Sequence, residues 1–589
     1  MSKEKDLYER IVELAARRGF FWRSYEIYGG VAGFVDLGPL GAILKKNIEE
    51  KWREWFILKH QDFIVEIETP VITPRAVLEA SGHLEHFTDP IVECRKCGRK
   101  FRADHLIENE IGESVEGLKP HELSKIIKER NIKCPMCGGN LSEVREFSLL
   151  FQTTIGPYSE NIGFLRPEAA QGMFTSFKRV YEAMRGKLPL GIGQIGKVGR
   201  NEISPRQGVI RLREFTIMEV EFFFDPEEPT CPLLPEVEND ELRLITCDLK
   251  MKGIKEPLIV TVRKGLEKGL IVNEWLAYFL AIGQRFVKNL GIPLEKQVFE
   301  EKLPHERAHY STQTFDQLVK VSRWGWIEVA GHSYRGRYDL SRHIAYSRKD
   351  LTVYKQFKEP KIVKVEELEI DVEKLKEFYG EHYTKIVREF SESDKNVLLR
   401  ELESKGYLSI AGFKIPKEFF KVKTVAKKVK GKKLIPHVVE PSFGAERLLY
   451  ATLEYAYSVR NGRVILKLPK DIAPISVAVF PLVNKEPIVK IAKEIYENLK
   501  SMKLRVLYDV SGSIGRRYAR ADEIGVPLAL TVDYRSVEDD TVTLRNRDTW
   551  EQVRVKRKEV YRKIPLYIKG EISFEQLGEP AEKFSKLRC

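Results

Sequence analysis

Residues 200–224 read RNEISPRQGVIRLREFTIMEVEFFF. The second half alternates as a β-strand does, placing Arg211, Arg213, Phe215, Ile217, Glu219 and Glu221 on one face and Leu212, Thr216, Met218, Val220 and Phe222 on the other. The even-numbered face reads as a core face. The odd-numbered face sets arginines, an aromatic ring and two acids in a row. That pattern fits either an ordinary solvated face or the floor of a site for something both anionic and cationic.

A chain of 589 residues is too long for one core and implies roughly three or four domains. An apolar fraction of 43% and an aromatic fraction of 10% are globular values, and no run approaches the ~20 apolar residues of a membrane helix. The start, MSKEKDLYERIVELAARRGF, reads as a charged amphipathic helix without the apolar core of a signal peptide. The expectation is a soluble, cytoplasmic protein. A formal charge of +13 points toward a polyanionic partner, because Lys and Arg gain phosphate affinity by releasing counterions. Charged residues of both signs make up 31% of the chain, so a merely charge-rich surface fits equally well.

Seven cysteines in so long a chain do not form a disulfide framework. Cys94 and Cys97 in CRKCG and Cys134 and Cys137 in CPMCG make two matched knuckles, each followed by glycine where the backbone must turn tightly. Four thiolates so presented suit tetrahedral Zn²⁺, and a fully thiolate site is structural because no position stays open for water. The alternative is four reduced or redox-active thiols. His105 and His121 lie in the spacer as possible substitute ligands, while Cys231, Cys247 and Cys589 have no comparable partners.

Along the chain, Gly-rich turns lead into a long amphipathic helix and a strand that meets Pro70. The expected organisation is a catalytic part over 1–89, a cysteine-rich insertion over 90–145, and further catalytic sequence over 146–345 with an insertion near 226–300. A lysine-rich insertion follows over 346–432, its lysines either solvated or touching nucleic acid. Residues 433–470 resume the catalytic part. Beyond 471 strands alternate with helices, which indicates a separate α/β domain with a largely parallel sheet. There is no internal repeat and no glycine-rich phosphate loop of the P-loop or dinucleotide type.

Arg200 and Glu202, a loop, then R-x-x-x-F-x-x-x-E-x-E from Arg211 through Phe215 and Glu219 to Glu221 match the second signature of class II aminoacyl-tRNA synthetases. Pro70 resembles the first signature, and GAERL at 444–448, with Arg447 just inside a helix, resembles the third. The segments SYEIYGG, DLGPLG, SGH at 81–83, LRPEAAQGMF, EPSFGAER and GSIGRRYARADEIGVP are similar to those of the dimeric glycyl-tRNA synthetases, over nearly the whole chain. The resemblance implies an α+β fold. Its parts would be an antiparallel sheet flanked by helices, the zinc-knuckle and lysine-rich insertions, and a C-terminal α/β anticodon-binding domain over 471–589. It further implies a homodimer joined through the first-signature helix and strand.

The same resemblance implies activation of glycine by ATP and transfer to tRNA(Gly). Arg200 would grip the α-phosphate and the amino-acid carboxylate, and Arg447 the γ-phosphate. Phe215 would stack the adenine, read at its edge by Glu202 and the backbone near Arg211 and Leu212. Asn201, Arg213, Val329 and Gly444 complete the implied ATP set, with Mg²⁺ bridging the phosphates and held with help from Glu328. Glycine, having no side chain, is recognised by its ammonium, for which Glu168, Glu219, Glu440 and Ser442 match the family, with Phe215 and Arg102 also within reach of the substrate. Where the family reads an acid, GHSYRGRYDL carries Tyr334, so residues 332–335 receive no role. Arg516, Arg517 and Arg520 of the last domain fit either RNA contact or packing. The rival readings are a class II synthetase for another small amino acid, or a synthetase-like RNA-binding protein that has lost catalysis.

Overall fold

The computed structural model describes residues 5–581 except 114, 116, 204 and 206, so that Cys589 lies outside the described residues. Nine strands form the central sheet: β1 Ile64–Glu66, β2 Leu190–Gly199, β3 Glu214–Phe224, β4 Glu241–Ile245, β5 Leu258–Thr261, β6 Gln297–Glu301, β7 Gln313–Val321, β8 Gly325–Gly336 and β9 His437–Gly444. Their order is β5-β4-β6-β7-β8-β9-β3-β2-β1. The six strands from β6 to β2 are antiparallel throughout. At the flanks β1 joins β2, and β4 joins β6, in parallel. The expected antiparallel sheet is therefore the centre of a larger mixed one.

The helices that position it are α1 Leu7–Arg18, α2 Pro39–Trp52, α3 Ala170–Ala183, α4 Glu274–Asn289, α5 Tyr338–Ser347 and α6 Ala445–Ala456. The ends of α1 follow from sequence: the Asp6 side chain accepts from the Glu9 N–H, and Gly19 closes the helix at φ 78°. Pro39 opens α2 at a position where its missing N–H costs nothing. α4 is buried almost all round, with Phe279 and Trp275 packed on Phe222 of β3. Each such fully buried side chain contributes roughly 1.5–3 kcal/mol.

β3 shows how the opening stretch is used. Met218, Val220, Phe222 and Phe224 enter the core shared with α4 and α6, as the even-numbered face predicts. On the odd face Phe223 packs on Phe174 and Phe177 of α3. That leaves Phe215, Ile217, Glu219 and Glu221 as a row between α3 and the loop preceding the strand. The strand begins only at Glu214, so Arg211 and Arg213 lie in that loop and do not continue the strand face.

Residues Thr88–Glu93, Lys100–Arg102 and Arg145–Ser148 form a small sheet that carries the cysteine knuckles, with a core of its own around Val92, Ile107, Leu123 and Ile127. The lysine-rich stretch is a separate compact unit, Thr352–Leu434. In it the strands Val353–Ile370 and Phe420–Leu434 pair as a long antiparallel ribbon, and three helices from the chain between them pack around Leu375, Ile386 and Leu402.

In the C-terminal region Val477–Pro481 lies between Val506–Tyr508 and Leu528–Val532 in parallel, but Thr541–Asn546 and Gln552–Lys556 add antiparallel strands. The sheet is half parallel rather than largely so: Leu528–Val532 returns through the short helix Tyr534–Asp539 to the antiparallel Thr541–Asn546, and a tight connection turns that strand back into Gln552–Lys556. Arg517 is buried and donates to the carbonyl of Pro481, and Arg520 Nε donates to Asp509 at 3.0 Å. Both serve packing. No described helix is long and apolar enough to cross a membrane.

Candidate active site

A cavity of about 280 Å³ opens on the odd face of β3, and the strand register sets its floor. Gln194 stands opposite Glu219, Glu219 opposite Ser442, Ser442 opposite Gly331 and Gly331 opposite Asp316. One row thus crosses five strands. In the next row Glu440 pairs with Ser333, and Ser333 with Thr314. Period two along each strand then points Phe215, Ile217, Glu219 and Gly444, Ser442, Glu440 to the same side.

At one end of the floor three acids converge. Glu219 Oε1 accepts from the Ser442 hydroxyl at 2.8 Å and its Oε2 from the Ala169 N–H at 3.0 Å. Glu168 accepts from Gln171 at 2.9 Å, and His83 Nε2 stands 3.4 Å from it. The Ser81 hydroxyl holds His83 from behind at 2.8 Å. Glu168, Glu219 and Glu440 are all buried.

Arg335 organises them. Its side chain is wholly buried; Nη1 donates to Glu440 at 2.9 Å, Nε to Asp339 at 2.9 Å, and Nη2 to Asp339 at 3.0 Å and Glu168 at 3.4 Å. The guanidinium lies 3.6 Å over the Tyr310 ring. Burial opposes ionisation of Glu168, yet His83 and Arg335 hold it well below the usual carboxylate range. Burial and the charge of Glu168 push Glu219 up to about 7. Burial pushes Glu440 up to about 8 against the pull of Arg335. More carboxylates meet here than one guanidinium neutralises, which leaves a place for a second cation.

The other end is cationic. Arg200 donates through Nε to the Pro167 carbonyl at 3.1 Å and lies 5.5 and 5.4 Å over the rings of Phe87 and Phe215. Among the described residues nothing accepts from its terminal nitrogens. Arg447 is braced by the carbonyls of Ile210 and Glu328 at 2.9 and 2.8 Å and by the Glu328 carboxylate at 3.0 Å. Arg211 Nε donates to Glu202 at 2.7 Å.

Thirteen of the sixteen residues anticipated for ATP and glycine line this cavity; Asn201, Arg213 and Arg102 do not. Arg213 ties the loop together, donating to the carbonyls of Glu202 and Ala32. The Asn201 N–H is spent on the Leu149 carbonyl at 2.7 Å. Arg102 pairs with Asp104 at 2.7 Å and Asp89 at 3.4 Å and lines a neighbouring recess that shares Glu202 and Arg211 with the main cavity. It is thus displaced from the three acids.

The sequence patterns give Arg335, His83 and Asp316 no role, although His83 lies in the matched segment SGH at 81–83. Arg335 had a signal: Gly331, Ser333 and Arg335 alternate along β8, so an arginine continues a face turned toward the site.

The four cysteine sulfurs lie within 4.8 Å of one another, with Cys94 to Cys137 at 3.5 Å and Cys97 to Cys134 at 3.8 Å. The knuckles repeat one geometry. Gly98 donates to the Cys94 carbonyl and Gly138 to that of Cys134, each at 2.9 Å, with both glycines at positive φ, 68° and 67°. The edge of a tetrahedron with ~2.3 Å zinc–sulfur bonds is ~3.8 Å, so the donor set and spacing fit such an ion.

Sheet, flanking helices and the split between acidic and basic ends give the chain the core of a class II aminoacyl-tRNA synthetase. A solved prolyl-tRNA synthetase from Cryptosporidium parvum, complexed with halofuginone and AMPPNP, shares the fold with a TM-score of 0.50 at 15% identity, over 97% of this chain and 79% of that one. Residues 476–565 match the anticodon binding domain family. A glycine–tRNA ligase of Aeropyrum pernix is 53% identical over 98% of this chain and 100% of its own length, and one of Pyrococcus furiosus 49% identical over 96% and 100%. The chain belongs to the glycine–tRNA ligase family.

Proposed function

We propose that this chain ligates glycine to tRNA, and that the cavity on β3 is where ATP and glycine meet before the glycyl group passes to the 3′-hydroxyl of the terminal tRNA ribose. The observation that carries this reading is the convergence of Glu168, Glu219 and Glu440 at one end of a cavity whose other end holds Arg200, Phe215 and Arg447.

The glycine ammonium takes the acidic end, where it supplies the missing positive charge, and Ser442 orients Glu219 toward it. Because burial raises Glu219 and Glu440, both must shed protons to meet the ammonium, so glycine affinity falls as pH drops through about 8 and about 7. The glycine carboxylate then points toward Arg200. That guanidinium spans the attacking carboxylate and the α-phosphate, and its fork follows the charge that builds on the phosphoryl oxygens as the bond to pyrophosphate lengthens. Arg447 holds the γ-phosphate end. Phe215 stacks the adenine, with Glu202 and the backbone at Arg211 and Leu212 on its edge. Glu328 and Asp316 would supply the hard oxygen donors that a Mg²⁺ carried with ATP prefers, and the ion would neutralise phosphate charge. Selecting glycine requires a wall that clashes with any β-carbon, since a missing methylene alone is worth only ~1–3 kcal/mol.

The C-terminal domain takes the anticodon arm, the protein acts in the cytoplasm, and two copies pair through α2 and β1. ATP–pyrophosphate exchange over a panel of amino acids tests the reading. Glycine should drive exchange, and preference for proline, serine, threonine or alanine would reject it.

Zn²⁺ is the metal of the four thiolates, with a structural role. Cys134→Ser should lower bound zinc from about one per chain to near zero and unfold the module first, since metal binding here is folding energy. Zinc release measured with a chelating dye, alongside thermal unfolding, checks it. Full zinc occupancy in that variant would rule the assignment out.

A further inference from the structure

One acid of the site face has no part in the chemistry above. Glu221 is wholly buried, and neither of its carboxyl oxygens accepts a hydrogen bond from a described residue. The register that sets Glu219 opposite Ser442 and Phe222 opposite Val439 carries Glu221 to the place across from Glu440. The charged groups around it are Glu440 from β9, Arg335 from β8, Asp339 from α5 and Glu219 from its own strand. The nearby cation is already committed, since Arg335 donates to Asp339, Glu440 and Glu168. A carboxylate that has lost water and gained no donor cannot hold its charge at such a place, so it keeps its proton.

We propose that Glu221 is a positioning residue for the glycine ammonium site: it remains a neutral acid and donates its hydroxyl to Glu440, so that Glu440 ionises and stays aimed when glycine arrives. The proposal rests on the reading of Glu168, Glu219 and Glu440 as the amino-group cradle. Burial first, and then the charge of Glu440, push Glu221 well above the usual carboxylate range. On binding, the incoming ammonium drives the proton of Glu440 out to solvent while that of Glu221 stays. The Glu221 hydroxyl then fills a lone pair of the new carboxylate that Arg335 does not use. A neutral donor stabilises the anion without adding to the negative charge of the site. A second carboxylate at this position would repel Glu440 and hold its proton on.

The test compares Glu221→Gln, Glu221→Leu and Glu440→Gln, measuring the glycine and ATP KM in pyrophosphate exchange between about pH 6 and 8.5. Glu221→Gln keeps a donor and should stay within about threefold of the parent, with the pH limb of the glycine KM unmoved. Glu221→Leu fills the space without a donor. It should raise the glycine KM roughly 10- to 100-fold, shift the limb to higher pH by about one unit, and leave the ATP KM alone, as expected for loss of a hydrogen bond to a charged group. Either of two results overturns the proposal. One is a limb that moves to lower pH in Glu221→Gln, which would mean that the parent acid is ionised. The other is a glycine KM in Glu221→Leu within twofold of the parent, which would reduce Glu221 to packing. Glu440→Gln separates the two readings: if it leaves the glycine KM unchanged, the cradle itself is misassigned.

Discussion

Arg200→Ala should cut glycine activation roughly 1,000-fold while leaving the fold intact. Arg200 lies among Phe87 and Phe215 with one nitrogen on a carbonyl and no carboxylate on its fork. Its removal breaks no buried ion pair, so thermal unfolding should shift by no more than about 1–2 °C. The chemical step behaves differently. Charge grows on the α-phosphoryl oxygens only as the reaction proceeds, so a preorganised cation there lowers the barrier more than it strengthens binding. Loss of one such group costs roughly 10²- to 10³-fold in turnover, and a guanidinium that bridges both reactants belongs at the upper end. Arg200→Lys keeps the charge but not the fork and should recover only part of the rate. Pyrophosphate exchange at saturating ATP and glycine reads this directly. A turnover within tenfold of the parent in Arg200→Ala would remove Arg200 from the reaction.

The sequence exposed what depends on short-range periodicity and hid what depends on distant meetings. Alternation from Phe215 to Glu221 marks a strand with a working face because each side chain points opposite its neighbour, and the matched knuckles at Cys94 and Cys134 carry their own turns. Arg211 and Arg213 show the limit of the rule. Alternation ran on into a loop because nothing in a period of two says where hydrogen bonding to a neighbouring strand begins. The parallel pairings of β1 and β4 were likewise illegible, since they depend on where the chain re-enters the sheet. Arg335 was missed for another reason. Its partners Glu168 and Glu440 lie 167 and 105 residues away in the chain, and only Asp339, four residues on, is local. Arg102, taken for a site residue, meets Asp89 and Asp104, two carboxylates of its own module.

That network makes Arg335→Met the second large effect, and one of a different kind. Arg335 is wholly buried and answers three buried carboxylates, Glu168, Asp339 and Glu440. Methionine fits the volume but leaves these acids without their cation. Breaking a buried pair in this way costs about 3–5 kcal/mol, because the orphaned charge is not rehydrated. The acids escape part of that cost by taking up protons. Glu168, which Arg335 and His83 hold ionised against its burial, then joins Glu219 and Glu440 in the raised range. A cradle of neutral acids no longer attracts an ammonium, so the glycine KM should rise roughly 100-fold or more at neutral pH, with the ATP KM far less affected, and recover in part as pH is raised. The linkage runs the same way for stability. In the parent, Glu168 has its pKa depressed by folding, so its contribution is present above the unfolded value and is lost as pH falls through the folded one. In Arg335→Met that contribution is gone at neutral pH, and thermal unfolding should fall by about 5 °C or more. Arg335→Lys would keep one charge for three acids and fall between. Should Arg335→Met unfold within about 1 °C of the parent and bind glycine with an unchanged KM, the guanidinium would be dispensable, and something else would have to hold three buried acids together.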